Sequence, residues 1–161
     1  MQRRPFLIAA ASGATGMIAA VLGWRLFSGA DAFPVTRTKE EWRAQLTPDE
    51  FAVLREAATE PAFSSPLNDL EDPGTYSCVG CGNPVYSSED KFDSETGWPS
   101  FTRPIKTEAI TTRPDPRLLG LATEVRCSRC GSHLGHVFDD GPPPTGMRHC
   151  INGIALRFET A

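Results

Sequence analysis

Ala122-Thr123-Glu124-Val125-Arg126-Cys127-Ser128-Arg129-Cys130-Gly131-Ser132-His133-Leu134-Gly135-His136-Val137-Phe138 reads as two short β-type runs, Ala122–Cys127 and His133–Phe138, flanking a Cys-x-x-Cys knuckle. Gly131 after the knuckle suits a tight turn. A second knuckle, Cys78-Val79-Gly80-Cys81, stands upstream and is followed by Gly82. A two-residue spacer lets both thiolates of a knuckle face one ion. Two knuckles complete a tetrahedral four-thiolate site of the structural zinc kind. Forty-five residues separate Cys81 from Cys127, so such a metal ties distant parts of one domain together. The same pairs also allow two disulfides or redox-active dithiols. The redox case usually rides on a βαβ pattern, which this sequence lacks.

Outward from this stretch the chain stays turn-rich. Further β-type runs lie at Pro84–Ser87 and Ile151–Phe158, between closely spaced Pro and Gly residues. The 161 residues include 14 Gly and 14 Pro, too many for a helical bundle. The expected class is mainly β (α+β), with antiparallel sheets. Upstream, Thr38-Lys39-Glu40-Glu41 forms a capping box ahead of Trp42, and Thr47-Pro48-Asp49-Glu50 forms another with Pro at the first helical position. Phe51, Leu54, Ala57 and Ala58 follow at helical spacing. Two short helices are therefore predicted between Thr38 and Ala58. Residues 33–37 read as a linker, and 38–161 as one domain.

The first 32 residues read as an address. Arg3-Arg4-Pro5-Phe6-Leu7 resembles a twin-arginine export signal, Phe6–Trp24 carries no charge, and Ala30-Asp31-Ala32 offers small residues for cleavage. The uncharged run is also long enough for a membrane anchor. Either way the domain is expected in the periplasm or otherwise outside the cytoplasm. Cleavage after Ala32 removes Arg3, Arg4, Arg25 and Asp31 and moves the net charge from −4 to −6. An acidic chain has no electrostatic footprint for nucleic acid. With 40% apolar and 22% charged residues, wholesale disorder and a polytopic membrane protein are excluded too. Nothing suggests a coiled coil or a large apolar surface, so a monomer is expected.

Four cysteines for a metal leave Cys150, in Met147-Arg148-His149-Cys150-Ile151-Asn152-Gly153. On a strand, Arg148 shares its face, and a cation there favours thiolate. His133 and His136 add imidazoles, so a nucleophile and proton donors are available. The alternatives are an inert buried Cys150, and histidines that serve the core or the metal.

Gly97-Trp98-Pro99-Ser100-Phe101, the run His133 to Pro142, and Arg148-His149-Cys150-Ile151-Asn152 resemble the B-type methionine sulfoxide reductases. Lys91-Phe92-Asp93-Ser94 and both knuckles belong to the same resemblance, which spans about residues 42–158. It implies packed antiparallel sheets with N-terminal helices and one structural zinc on Cys78, Cys81, Cys127 and Cys130. It also implies thiol-dependent reduction of the R epimer of methionine sulfoxide in oxidised proteins. Cys150 matches the nucleophile, which becomes a sulfenic acid. Trp98 matches the residue that receives the substrate methyl, with Phe138 beside it in the substrate pocket. His133, His136 and Asn152 match positions that hold water or the sulfoxide oxygen. Arg148 matches the position that promotes the thiolate, and Asp140 a carboxylate in its network. Two residues depart from the family pattern. Thr96 stands where many relatives carry a resolving Cys, which points to direct reduction by an external thiol, thioredoxin-like or another dithiol. His149 replaces a common aromatic and is expected on the strand face opposite Cys150. Two other readings are a zinc-stabilised binding module and an enzyme acting on free methionine sulfoxide.

Overall fold

The computed structural model describes residues 32–161, so the twin-arginine-like stretch lies outside the described residues. Two helices come first, α1 (Lys39–Gln45) and α2 (Pro48–Glu56). Each begins with the reciprocal cap its sequence announces. Thr38 Oγ1 accepts from Glu41 N while the Glu41 carboxylate accepts from Thr38 N at 2.7 Å, and Thr47 and Glu50 repeat the exchange at 2.8 Å. A cap of this kind stabilises a short helix by about 1 kcal/mol. Pro48 occupies the first turn of α2, and Ala57 ends it in the left-handed conformation. The buried faces present Trp42, Phe51, Val53 and Leu54.

Nine strands follow: β1 (Gly74–Cys78), β2 (Pro84–Ser87), β3 (Lys91–Phe92), β4 (Ser100–Phe101), β5 (Ile110–Pro114), β6 (Thr123–Cys127), β7 (His133–Phe138), β8 (Arg148–Ile151) and β9 (Leu156–Thr160). They form two antiparallel sheets, in the order β2-β1-β9 and β3-β4-β8-β7-β6-β5. The fold is mainly β with two short helices, as the sequence implied. Tyr76 and Tyr86 of the smaller sheet meet Phe101 of the larger, with Tyr86 stacked on Phe101 at 4.4 Å and Tyr76 edge-on at 5.0 Å. All three rings are fully buried. Aromatic pairs in such arrangements add to simple area burial.

The predicted run Ile151–Phe158 is not one strand. β8 ends at Ile151, a tight turn occupies Gly153–Ala155, and β9 starts at Leu156 in the other sheet. The buried Glu60 carboxylate breaks the run, because it accepts from both Gly153 N and Ile154 N. The hydroxyl of Ser65 lies where a Cβ at residue 153 would stand, so only glycine fits. Residues 33–37, read as a linker, dock on the second knuckle. Val35 N donates to Arg129 O at 2.7 Å, and the Phe33 ring covers Gly131.

The knuckles share one local structure. Cys78 N donates to Asn83 O and Gly82 N to Cys78 O; Cys127 N donates to Ser132 O and Gly131 N to Cys127 O. Gly82 and Gly131 both have φ of +68°, a left-handed turn that glycine takes without strain. The turns aim four sulfurs at one point, all within 4.8 Å of one another. Cys78 Sγ lies 3.8 Å from Cys130 Sγ, and Cys81 Sγ lies 3.5 Å from Cys127 Sγ. A disulfide needs about 2.05 Å, and all five cysteines are free. A tetrahedral ion with metal–sulfur bonds of about 2.3 Å has sulfur–sulfur edges of about 3.8 Å. The donor set and its spacing fit a metal ion.

Metal analysis of the purified protein is expected to give one ion per chain. Cys127→Ser should abolish that binding and lower the thermal midpoint, since a site made only on folding contributes its binding energy to folding. A second expectation concerns His149, which is 7% exposed and whose Nδ1 meets Tyr86 Oη at 3.1 Å. Burial lowers its pKa from 6.5 to about 4. The unfolded chain then binds the extra proton between those values, so stability falls as pH drops from about 6.5 to about 4, by about 3 kcal/mol in total from this group. Denaturant melts across that window should show a shallower slope for His149→Phe.

Candidate active site

Cys150 sits near the middle of the larger sheet. β8 runs between β4 and β7, with Cys150 opposite Ser100 on one side and opposite His136 on the other. Alternation along β8 leaves Arg148 and Cys150 half-buried and sends His149 and Ile151 into the core. His149 thus faces away from Cys150, toward Tyr86.

His133 and His136 are three residues apart, which on a regular strand puts them on opposite faces. The register shows why they meet. Val125 pairs with Gly135 but Arg126 pairs with His133, so Leu134 is an extra residue in β7. This β-bulge switches the alternation and brings the two rings to 5.4 Å.

Each imidazole rests on a buried carboxylate that the sequence reading missed. His133 Nδ1 meets Glu124 Oε1 at 2.8 Å, and Arg113 Nε donates to Glu124 Oε2 at 2.6 Å. Burial pushes the Glu124 carboxyl up, yet these two hydrogen bonds hold it below its usual value. Burial in turn lowers the His133 pKa and outweighs Glu124. His133 is therefore a neutral ring whose buried Nε2 has no protein partner among the described residues. His136 Nε2 lies 2.7 Å from Asp115 Oδ2. Asp115 is fully buried, and Arg117 grips it through Nε, Nη2 and its backbone N–H. The Arg117 hydrogen bonds hold the Asp115 carboxyl well below the usual range, against its desolvation. An ionised Asp115 fixes hydrogen on His136 Nε2 and so sets the orientation of the ring.

A cleft of about 160 Å³ opens over Cys150, lined by Thr59, Trp98, Gly135, His136, Phe138, Cys150 and Asn152. Five of these were expected from the sequence. Gly135 is required because a Cβ there would stand 2.1 Å from Cys150 O. Trp98 forms one wall, its Nε1–H donating to Glu60 O at 3.1 Å. Asn152 is almost wholly enclosed. Its Oδ1 accepts from Glu60 N at 3.0 Å and its Nδ2 donates to Leu134 O at 3.0 Å. The amide thus frames the cleft. Residue 60, unmarked in the sequence reading, holds both the indole and the amide.

At the edge, Arg148 Nε and Nη2 donate to the exposed Asp140 carboxylate at 2.8 and 2.7 Å, and the guanidinium lies 4.5 Å above the Phe138 ring. Burial raises the Cys150 thiol above its ordinary value; hydrogen bonding to Thr96 and the charge of Arg148 pull it down without cancelling that rise, and Asp140 adds to it. Thr96 Oγ1 is 4.0 Å from Cys150 Sγ. Among the described residues the other cysteines lie in the four-sulfur cluster. The site therefore holds one half-buried thiol, a flat apolar wall, and two imidazoles backed by carboxylates.

A SelR domain matches residues 46–160. The chain is 47% identical over 127 residues to "Peptide methionine sulfoxide reductase MsrB" of Hahella chejuensis, covering 79% of this chain and 91% of the relative. It is 50% identical over 122 residues to the protein of the same name from Thiobacillus denitrificans, covering 76% and 92%. It is 48% identical over 126 residues to that of Methanosarcina barkeri, covering 78% and 89%. On this match and these identities, the chain is an oxidoreductase and belongs to the SelR family of MsrB methionine sulfoxide reductases.

Proposed function

We propose that the protein reduces the R epimer of methionine sulfoxide in oxidised polypeptides, and so repairs them, outside the cytoplasm. The observation that carries this reading is the cleft itself, which Cys150 and Trp98 line together with His136, the cross-strand neighbour of Cys150. A sulfoxide is polar at oxygen and apolar at methyl, and this cleft offers a donor for one and an aromatic wall for the other. Cys150 thiolate attacks the sulfoxide sulfur. The sulfur–oxygen bond breaks, methionine leaves as the thioether, and the oxygen, with one proton, stays on Cys150 as a sulfenic acid. His136 is the imidazole of the pair that lines the cleft, so proton delivery is assigned to it, with Asp115 holding the ring in place. Two equivalents of an external thiol, thioredoxin-like or another dithiol, then return Cys150 to the thiol and release water and a disulfide. Thr96, at the position where many relatives place a second Cys, supports this direct route.

The metal of the four-cysteine site is proposed to be zinc, which the all-thiolate tetrahedral donor set suits and which needs no open coordination position there. Arg3-Arg4 with Phe6-Leu7 supports export by a twin-arginine route, which carries folded and metal-loaded chains. The exported protein is taken to act as a monomer.

Incubation with peptides carrying either sulfoxide epimer and excess dithiothreitol is expected to convert the R epimer alone, followed by mass spectrometry. Cys150→Ser should abolish conversion while leaving metal content and circular dichroism unchanged; full activity in that variant would overturn the mechanism. The pH dependence has a definite sign. Because burial disfavours the thiolate, the rate of iodoacetamide alkylation at Cys150 should rise with a midpoint above the ordinary thiol value. Arg148→Ala removes a favourable charge and leaves Asp140 in place, so the midpoint should move further up.

A further inference from the structure

The cleft over Cys150 measures about 160 Å³. Sites that bury a whole ligand usually offer about 300–1,000 Å³. This cleft therefore takes the end of one side chain, and the polypeptide bearing it must lie on the neighbouring surface. A groove of about 760 Å³ adjoins the cleft, and Thr59 lines both. Val53, Pro61, Ser65, Leu67 and Ile154 line it further along. Glu60 lines the groove and ties it to the residues of the cleft. Its backbone holds Trp98 and Asn152 on the cleft side, and its carboxylate holds Gly153 N and Ile154 N on the groove side. A residue tied at four points keeps the two cavities at a fixed separation.

We infer that this groove seats the stretch of substrate chain next to the sulfoxide, and that it selects an apolar side chain there. The inference rests on the reading of the Cys150 cleft as a methionine sulfoxide site. Continuity through Thr59 and Glu60 supports that occupant, and so does the chemistry of the lining. Val53, Leu67 and Ile154 are apolar; the Glu50 and Glu60 carboxylates on the lining are engaged by backbone N–H groups, and the exposed Asp49 and Arg157 are of opposite sign, so no strongly charged partner is favoured. Methionine is mostly a buried residue. A segment that exposes it after oxidation therefore brings former core neighbours with it. In an extended segment those on the same face recur every second residue, with about 3.3–3.6 Å of chain per residue.

The test compares three substrates at the level of kcat/KM. They are a capped single methionine (R)-sulfoxide, the same residue extended by three Val-containing residues on its N-terminal side, and the same extension on its C-terminal side. One of the two extensions is expected to raise kcat/KM about tenfold, the scale that burying one small apolar side chain supplies. Replacing its Val residues with Asp should remove the gain in the unmodified enzyme. In Leu67→Asp the ratio of extended to capped substrate should fall to about one. Equal kcat/KM for all three substrates, or a gain that survives either the Asp peptide or Leu67→Asp, would overturn the groove as a subsite. Absence of turnover for the capped residue and both extensions would instead overturn the sulfoxide reading of the cleft.

Discussion

Four sulfurs meet where a strand of each sheet ends, and a metal ion held by them would tie the two sheets together. Cys78 closes β1 of the smaller sheet and Cys127 closes β6 of the larger. Their knuckle partners, Cys81 and Cys130, complete the cluster. A metal ion there would join the end of β1 to the end of β6. The Tyr76, Tyr86 and Phe101 rings join them within the core. The pairing of β8 with β4 and β7, which sets Cys150 between Ser100 and His136, lies inside the frame so made.

Within that frame, the chemistry depends on polar groups that water cannot reach. Glu124 and Asp115 are both buried, and each is matched by an arginine and an imidazole. Unpaired buried carboxylates would be strongly destabilising, so the arginines let the anions stay beneath the rings. The two histidines come out differently. His133 is enclosed and neutral, while His136 reaches the cleft with an anion behind it. Burial also raises the Cys150 thiol despite Arg148, so burial favours the thiol over the thiolate there.

Much of this was legible because it depends on short-range chemistry. The capping boxes at Thr38 and Thr47, the knuckles, and the runs Pro84–Ser87 and His133–Phe138 all depend on residues within a few positions of one another. The motif residues Trp98, His136, Phe138, Cys150 and Asn152 do converge on one cleft. What the sequence hid was long-range. β5 is an exposed strand with no apolar alternation to mark it. The break after Ile151 depends on Glu60, more than 90 residues away along the chain. Asp115 and Glu124 look like ordinary surface acids until Arg117, Arg113 and the two histidines are seen against them. The β-bulge at Leu134 has no local signature either, yet it decides which face the histidines share.

The pairing of β1 with β9 sets Gly74 opposite Thr160, and Ala161 N donates to Pro73 O. The first strand of the smaller sheet pairs with β2 nearby but finds its second partner only far along the chain, in β9. Contacts of such large sequence separation slow folding, because a long loop must close before the pairing rewards it. A chain emerging from the ribosome can form both helices and the knuckle at Cys78 early. It can join the second knuckle only once Cys130 has appeared, and it completes the smaller sheet after that. Until β9 has been made, one edge of β1 stands open, so during synthesis the domain has an unpaired strand edge that the folded domain conceals.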